Sequence, residues 1–244
     1  MKVEPIPAKE TYPWLKKKHY AHRIPNIMYS YGMFMDGVLS GVCTFGMPPT
    51  DKFSTLETPF PVIELNRLVI NEGMPKNTLS QFVSRCLKAL PRPMIVVSYA
   101  SPSDGHTGYI YQATNWIYTG CGRTDEKDKR GTSRYFYKGK EHHDRHIREV
   151  AVSLHFKMND DMTLNENWVA NGGEIIKQER KHRYFQLIGR GIAERKKMLA
   201  LLKSLYTIKP YPKGVNTRYD ASYKPTAQTT LDFMGGKEDG KEEG

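Results

Sequence analysis

Residues 64–121 read ELNRLVIN from Glu64 to Asn71, NTLSQFVSRCLKAL from Asn77 to Leu90, MIVVSYAS from Met94 to Ser101, and DGHTGYIYQATNWIYTG from Asp104 to Gly120. The spacing of their apolar residues predicts strand, helix, strand, helix and strand in that order. Such an alternation builds a βαβ layer, so we predict an α/β fold with a largely parallel sheet. Polar side chains also interrupt these elements at positions that a stretch serving only the core would leave apolar.

Length and composition limit the class of protein. A chain of 244 residues that is 39% hydrophobic suits one large or two small domains with a core. No apolar run approaches the roughly 18 residues of a transmembrane helix, and the amino-terminal residues lack the apolar segment of a signal peptide. Cys43, Cys86 and Cys121 form no CxxC pair. We interpret them as reduced thiols of a cytosolic protein, neither a disulfide frame nor a zinc site.

The charge balance points to a polyanionic partner. The chain has 37 Lys and Arg residues against 26 Asp and Glu residues, a formal net charge of +11, together with 15 Tyr residues. Nucleic acid is the first candidate for such a partner, and no membrane partner is predicted. The alternative is a small basic enzyme that binds no polyanion.

Composition divides the chain into three parts. Residues 1–12 are predicted to be a loose N-terminal arm, residues 13–214 the folded domain, and residues 215–244 a flexible tail that is polar and ends in charged, glycine-rich sequence.

Further elements flank the central stretch. A basic helix is predicted over Trp14–Tyr20, and alternation around Asp36-Gly37 predicts a β-hairpin over Met28–Phe45. The proline-rich stretch from Met47 to Pro61 is long enough for a functional loop. Additional predicted elements are strands around Tyr135–Tyr137, over Glu174–Lys177 and over Arg183–Ile188, and an amphipathic helix over Ala193–Leu205.

His19 and Tyr20 end the first predicted helix. An imidazole titrates near neutral pH and a phenol can relay a proton, so the two together are candidates for proton transfer. His19 and His22 could instead ligate a metal. A basic helix face with a packed aromatic ring explains the same residues without any chemistry.

Glu64, Asn66 and Arg67 interrupt a predicted strand. Strand alternation places Glu64 and Asn66 on one face and Arg67 on the other. An arginine within a mostly apolar strand has to be paired or bound to an anion. Arg67 therefore either holds an anion or forms a salt bridge with Glu64 or Asp104 that stabilises the sheet.

The helix that begins near Asn77, Thr78, Leu79 and Ser80 presents backbone N–H groups that could bind a phosphate or carboxylate of a donor molecule. No glycine-rich phosphate loop accompanies it, and ordinary helix capping by Asn77 or Thr78 explains these residues equally.

The densest polar cluster runs from the end of the SYAS strand into the next helix. Glycines at 105 and 108 allow close approach of a ligand, Asn and Gln side chains pair with adenine, and Tyr and Trp rings stack on an extruded base. Helix capping and core packing are the alternative explanation. The candidate substrate-binding residues of this region are Tyr99, Asp104, His106, Tyr111, Gln112, Asn115 and Trp116.

Two basic regions follow. His142, His143, Asp144 and His146 include potential metal ligands, but their basic neighbours favour a solvated loop that touches phosphate. The residues predicted to contact DNA phosphates are Lys181, Arg183, Lys196, Lys197 and Lys213, although exposed lysines also serve solubility.

ELNRLVIN, SYAS, GHTGYIYQATNWIYTG, KHRYF and the late PYPKG resemble the phage Mom DNA-modification proteins, which are similar in fold to GCN5-related N-acyltransferases. The resemblance covers roughly Trp14 to Gly214 and implies an acyltransferase-like domain with a mixed central sheet flanked by helices. It implies a transferase that converts the N6 amino group of adenine in double-stranded DNA to a carbamoylmethyl derivative, in the cytoplasm of an infected bacterium, and so protects phage DNA from restriction.

Carried over to this chain, the family's His-Tyr pair falls on His19 and Tyr20, and its strand arginine on Arg67. These three residues and Glu64 are the predicted catalytic residues, and Asn66 is predicted to bind the substrate. Ser101 stands where an Asp is expected, and MPKNTLS replaces the usual acyl-CoA pyrophosphate loop. The resemblance leaves acyl-CoA, another activated donor and a divalent metal such as iron open as cofactors.

Two other functions remain open at this point, a non-catalytic DNA-binding protein and an N-acyltransferase acting on a protein or small amine. In the tail, Gln228, Leu231 and Phe233 form a Q-x-x-L-x-F pattern that resembles peptides binding DNA sliding clamps, which makes a clamp a candidate partner.

Overall fold

A computed structural model describes residues 1–48, 58–121, 133–142, 146–177 and 179–214. Its larger sheet has seven strands in the order β1-β2-β3-β4-β5-β10-β6. These are β1 (Lys2–Pro5), β2 (Tyr29–Met35), β3 (Val38–Gly46), β4 (Val62–Ile70), β5 (Met94–Ala100), β6 (Ile117–Cys121) and β10 (His182–Ile188). The helices are α1 (Ala8–Lys17), α2 (Thr78–Ala89), α3 (Tyr109–Ala113), α4 (Ile147–Ser153), α5 (Leu164–Ala170) and α6 (Ile192–Leu205).

The mixed α/β class is confirmed, but the prediction of a largely parallel sheet is wrong. Within the described sheet, β4 and β5 form the parallel pair, and every other neighbouring pair is antiparallel. The α2 crossover makes β5 parallel to β4, as the local alternation predicts. The strand β10 comes from far along the chain and inserts between β5 and β6, so that β6 pairs with β10 and not with β5.

Apolar side chains cover both faces of this sheet. On one face, α2 packs Phe82, Val83 and Cys86 into the main core cluster. On the other face, α1 packs Trp14 and Leu15 against β3 and β4, while α6 packs Met198 and Leu202 against β5 and β10. The sheet therefore separates the main core from a second face, on which α1 and α6 cover different strands.

The amino terminus is ordered structure, which contradicts the prediction of a loose arm over residues 1–12. Strand β1 pairs with β2 along its whole length, and α1 begins at Ala8 and ends at Lys17, not at Tyr20. The predicted hairpin is present as β2 and β3, and both turn residues have positive φ, 50° at Asp36 and 81° at Gly37. Residues 49–57 of the predicted functional loop lie outside the described residues.

A second, smaller sheet lies between β6 and β10 in the chain. It contains β7 (Ser133–Tyr137), β8 (Lys140–His142) and β9 (Glu174–Lys177) in the order β8-β7-β9. Together with α4 and α5 it encloses its own cluster around Tyr135, Ile147 and the fully buried Trp168. We refer to residues 133–177 as the accessory module. None of the described helices is long and apolar enough to cross a bilayer.

Candidate active site

A gap opens in the middle of the large sheet. Backbone pairing between β4 and β5 ends at Glu64 and Val97, although β4 continues to Ile70 and β5 to Ala100. The two strands therefore part beyond this point, and their backbones no longer form a ladder with each other.

A β-bulge in β4 determines which side chains face this gap. Phe45 pairs with Leu65 and Thr44 with Arg67, so Asn66 is the extra residue. A bulge reverses the alternation of side chains, which puts Glu64 and Arg67 on the same face, the one that carries α1 and α6. The prediction that Arg67 faces away from Glu64 is therefore wrong.

The bulge residue Asn66 is held by the protein itself. Its Oδ1 accepts a hydrogen bond from the Thr44 hydroxyl at 2.6 Å, and its Nδ2 donates to the Asn26 carbonyl at 2.8 Å. These bonds stabilise the bulge and join it to the segment before β2.

His19 and Tyr20 follow the end of α1 and lie over the gap. Lys18, next to them, is buried and forms an ion pair of 2.5 Å with Glu72, which ties the end of α1 to the end of β4. The Ala21 backbone N–H donates to His19 Nδ1 at 3.0 Å. The Tyr20 ring stacks on the His19 ring with centroids 4.3 Å apart, and the His106 ring meets Tyr20 edge-on at 5.1 Å. The structure thus brings the rings of the adjacent residues His19 and Tyr20 together with that of His106, which is distant in the sequence.

Burial perturbs the groups in this cluster. Burial of the carboxyl raises the pKa of Glu64 to about 7, against the opposing effect of the cations Arg67, Lys181 and Arg23. Burial and the nearby Arg67 lower the pKa of His19 well below its usual value, so that the ring is neutral at pH 7. Burial also lowers the pKa of Arg67.

Arg67 lacks a complete set of partners. Its Nη1 donates to the Asn66 carbonyl at 2.5 Å, but within the described part of the chain its buried Nε has no hydrogen-bond partner. A charged guanidinium with an unused buried N–H group is suited to an oxyanion.

Ser98, which the sequence analysis did not single out, links β4 to the predicted substrate-binding residue Tyr111. Ser98 Oγ donates to the Leu65 carbonyl at 2.7 Å and lies 2.7 Å from the Tyr111 hydroxyl. Burial raises the pKa of Tyr111 well above its usual value. A serine in the otherwise apolar strand MIVVSYA was the signal in the sequence for Ser98.

The other predicted base-contacting residues have structural roles or lie apart from the rings. Gln112 Nε2 donates to the Thr107 carbonyl at 3.2 Å and approaches Tyr184 Oη at 3.4 Å. Trp116 is buried, 1% exposed, in the main core, and Asn115 has a left-handed backbone at the turn before β6. Tyr99 is partly buried beside the α6 cluster. The backbone of Asp104 belongs to a short 3₁₀ turn, while its side chain lies outside the described part of the structure.

The predicted donor-binding residues begin α2. Asn77 precedes the helix with a φ of 68°, and the hydroxyls of Thr78 and Ser80 donate to the carbonyls of Pro75 and Asn77. Leu79 lies in the same first turn. These residues follow the end of β4, beside the gap.

The predicted phosphate-contacting residues do not form one surface. Lys181 precedes β10 at the end of the sheet where β5 ends, whereas Lys196 and Lys197 are exposed near the start of α6, beyond the opposite end of β10. Arg183 is half-buried, with its guanidinium 3.8 Å from the centre of the Tyr206 ring and its Nε bonded to Thr119 Oγ1 at 2.9 Å. Lys213 is exposed near the Thr107 loop.

The metal and clamp hypotheses concern residues that are only partly described. His142 contacts Trp168, and His146 Nδ1 lies 3.0 Å from Glu149, while His143 and Asp144 lie outside the described residues. Across the ranges that the structure describes, no group of three or more His, Cys, Asp or Glu side chains is arranged to hold a metal ion. Gln228, Leu231 and Phe233 lie outside the described residues.

Comparison with known proteins matches most of this architecture to one family. The model of the Mom protein family matches residues 1–213. The methylcarbamoylase mom of Escherichia phage Mu is 32% identical over 129 residues, which cover 49% of this chain and 54% of that protein. The chain therefore spans about half the length of this curated relative.

Proposed function

This chain belongs to the Mom protein family, and we propose that it is a phage DNA-modification enzyme that transfers a carbamoylmethyl group to the N6 amino group of adenine. The name of the phage Mu relative supports the type of group. Protection of phage DNA from restriction is the biological role that this reaction would serve.

The reaction makes two demands on the protein. The lone pair of adenine N6 is delocalised into the ring, so the amine is a poor nucleophile. A base has to accept its proton, and a cation has to stabilise the negative charge that develops on the leaving group as its bond to the transferred carbon breaks.

Glu64 is the group best suited to accept the proton. A pKa of about 7 leaves a substantial ionised fraction at neutral pH and makes its carboxylate a stronger base than an ordinary glutamate. His19 is less suited, because its Nδ1 already accepts the Ala21 N–H. A neutral His19 ring therefore carries its proton on Nε2 and acts as a donor there. Tyr20, stacked on His19, would relay the proton.

Arg67 is the group best suited to hold negative charge. Its unused Nε lies in the buried region that also contains Glu64 and the end of α1. An oxyanion at this position would complete the hydrogen bonds of the guanidinium and would be stabilised more strongly than in water.

The rings over the gap could receive the base. An adenine within a duplex has to leave the stack before its N6 can enter an active site. Tyr20 and His106 offer aromatic surface for such an extruded base, and the net positive surroundings would favour the approach of its phosphates. The observation that carries this proposal is the convergence of Tyr20, Glu64 and Arg67 at the gap.

The separation of β4 from β5, with α2 starting beside it, supports the proposal that the fold is related to the GCN5-related N-acyltransferases. The first turn of α2 would then hold the anionic part of a donor such as acyl-CoA. Plain acyl transfer joins N6 to a carbonyl carbon, so the N6–methylene bond of the carbamoylmethyl product requires a step beyond acyl transfer or a donor with its leaving group on the methylene carbon. If a divalent metal such as iron takes part, the described carboxylate and imidazole groups do not by themselves complete its ligand set.

Mass spectrometry of nucleosides tests the proposal. DNA from cells that express the chain is digested and searched for deoxyadenosine that carries a carbamoylmethyl group, with cells expressing Arg67→Ala as the control. The modified nucleoside is expected with the wild-type chain alone. DNA that stays unmodified although it co-purifies with the protein would favour the non-catalytic binding protein, and an acylated protein or small amine would favour the N-acyltransferase.

A further inference from the structure

Positive charge is concentrated in the last described part of the chain. Residues 179–214 contain only two acidic side chains, Glu179 and Glu194. Their basic side chains are Arg180, Lys181, Arg183, Arg190, Arg195, Lys196, Lys197, Lys203, Lys209 and Lys213.

Strand β10 divides these cations between two ends of the sheet. Its register pairs His182 with Ala100 and Ile188 with Met94, so the strand spans about 20 Å at its usual rise per residue. Lys181 lies where β5 ends and the gap opens. Lys196 and Lys197 lie at the other end, where Arg190 Nε reaches the carbonyl of Arg92 at 3.4 Å.

Three cations meet at the gap end although they come from distant parts of the chain. Lys181 and Arg23 both lower the pKa of Glu64, and Arg23 also lowers the pKa of His19, which places both cations beside the candidate active site. Lys213 lies between Pro212, whose carbonyl accepts from Gln112 at 3.5 Å, and Gly214, which approaches the Thr107 methyl. It is therefore adjacent to the loop that carries His106.

The accessory module contributes little net charge to this end. Its described residues include six basic side chains, Arg134, Lys138, Lys140, Arg148, Lys157 and Lys177, and six acidic ones, Glu141, Glu149, Asp160, Asp161, Glu166 and Glu174. The excess of positive charge near the gap thus comes from the sheet and its connecting segments.

We infer that duplex DNA crosses the gap end of the large sheet, with its phosphates held by Arg23, Lys181 and Lys213, and not along the basic start of α6. This inference rests on the proposed function. Successive phosphates of one strand are about 3.4 Å apart along the duplex axis, so cations beside the gap contact the phosphates that flank the target adenine. Cations about 20 Å away contact only distant phosphates and cannot position that base.

Two matched double variants test the inference. Lys181→Glu with Lys213→Glu changes the gap end, and Lys196→Glu with Lys197→Glu changes the far end. Both remove the same net charge, and all four side chains are exposed, so only the position of the charge differs. The affinity of the full chain for a short duplex is measured by fluorescence anisotropy over a range of salt concentrations, and circular dichroism checks the fold.

The gap-end variant is expected to lose more than tenfold in affinity and to reduce the slope of log K against log salt by about two, because two phosphate contacts are lost. The far-end variant should lose less than threefold and keep the slope. Equal losses, or a larger loss at the far end, would overturn the inference. If a glutamate variant does not fold, the corresponding Gln pairs are compared by the same criteria.

This test does not depend on catalysis. If the wild-type chain binds no duplex DNA, the proposed DNA-binding surface is contradicted. The nucleoside analysis tests the proposed function separately. A chain that binds at the gap end but leaves adenine unmodified supports the surface and contradicts the enzyme.

Discussion

Arg67 is a charged side chain that is largely buried. Burial of its guanidinium is unfavourable in free energy unless an anion or several hydrogen-bond acceptors replace the lost water. Asn66 supplies one acceptor, and the buried Nε remains unused in the described part of the structure. Glu64, the nearest acidic candidate, has its pKa raised to about 7 by burial and is therefore only partly ionised at neutral pH. We therefore interpret Glu64 and Arg67 as groups that bind and activate a reactant, and not as a salt bridge that stabilises the fold.

Tyr20→Phe tests the proton-transfer role with one deleted oxygen. The ring keeps its stacking on His19, so the fold and DNA binding should be unchanged, whereas adenine modification should fall by about 10²–10⁴-fold. Modified nucleoside is quantified in DNA from cells that express equal amounts of each protein.

Tyr12→Phe is the matched control, because Tyr12 lies on α1 and is 37% exposed. It should retain full activity. A fully active Tyr20→Phe would exclude the Tyr20 hydroxyl as the relay and would assign that role to another group beside Glu64, such as His106.

Glu64→Gln should change the pH dependence of stability. The folded pKa of about 7 lies above the value of an exposed glutamate, so the folded protein retains a proton that the unfolded chain has already lost. This contribution to stability is complete at a pH below the unfolded pKa and is lost as the pH rises through about 7.

The Gln side chain resembles the protonated form of glutamate and does not titrate, so its contribution to stability does not change with pH. The Glu64→Gln protein should therefore match the wild type in urea unfolding near pH 4, below the unfolded pKa, and exceed it at pH 8. The same variant should lose modification activity if Glu64 is the base. Equal unfolding midpoints of both proteins at pH 8 would contradict the buried, perturbed carboxyl.

At the scale of elements, the loop between β5 and α3 determines where His106 lies. Tyr184, on β10, donates its hydroxyl to the Thr107 carbonyl at 2.5 Å, and Gln112 donates to the same oxygen at 3.2 Å. Gly108, with a φ of 79°, lets the Tyr184 ring approach so closely that a Cβ atom would lie 2.4 Å from it. The loop thus depends on a strand that is more than 70 residues away in the sequence.

Gly108→Ala should displace this loop and reduce adenine modification at least tenfold. Gly139→Ala is the control, because Gly139 has a similar φ of 76° but no atom lies within 4 Å of the place that an alanine Cβ would take. Both variants share the strain of a left-handed alanine, about 1–2 kcal/mol, and only Gly108→Ala adds the clash.

Thermal unfolding of both variants measures the effect of backbone strain on stability. Nucleoside analysis measures the effect of a displaced His106 loop on activity. The Gly139→Ala protein should be slightly less stable and fully active. Equal activity of the two variants would show that the loop tolerates movement and that His106 does not contribute.

For the whole molecule, the net charge of +11 predicts that DNA binding is electrostatic and largely independent of sequence. With about four phosphate contacts, the affinity for a duplex should fall roughly a hundredfold between 50 and 200 mM salt. Titration of two unrelated duplexes by fluorescence anisotropy measures both the slope and the sequence dependence. A flat salt response would mean that base contacts, not phosphates, dominate.

The sequence alone determined the elements whose signals are local. The hairpin at Asp36-Gly37, the strand–helix–strand order of β4, α2 and β5, and the helix over α6 follow from spacing and turn residues that act within a few positions. The presence of His19, Tyr20, Glu64 and Arg67 among the candidate residues also follows from polar residues in apolar elements.

Only the tertiary structure decided what these elements do together. The bulge at Asn66 turns Arg67 to the side of Glu64, and it depends on hydrogen bonds to Thr44 and Asn26, which are distant in the sequence. The insertion of β10 between β5 and β6 makes the sheet mainly antiparallel and separates cations that are close in sequence. The spacing of apolar residues shows which side of a helix or strand is buried. It does not show which other element packs against that side, because this depends on contacts across the whole chain. The candidate site is formed by such long-range contacts.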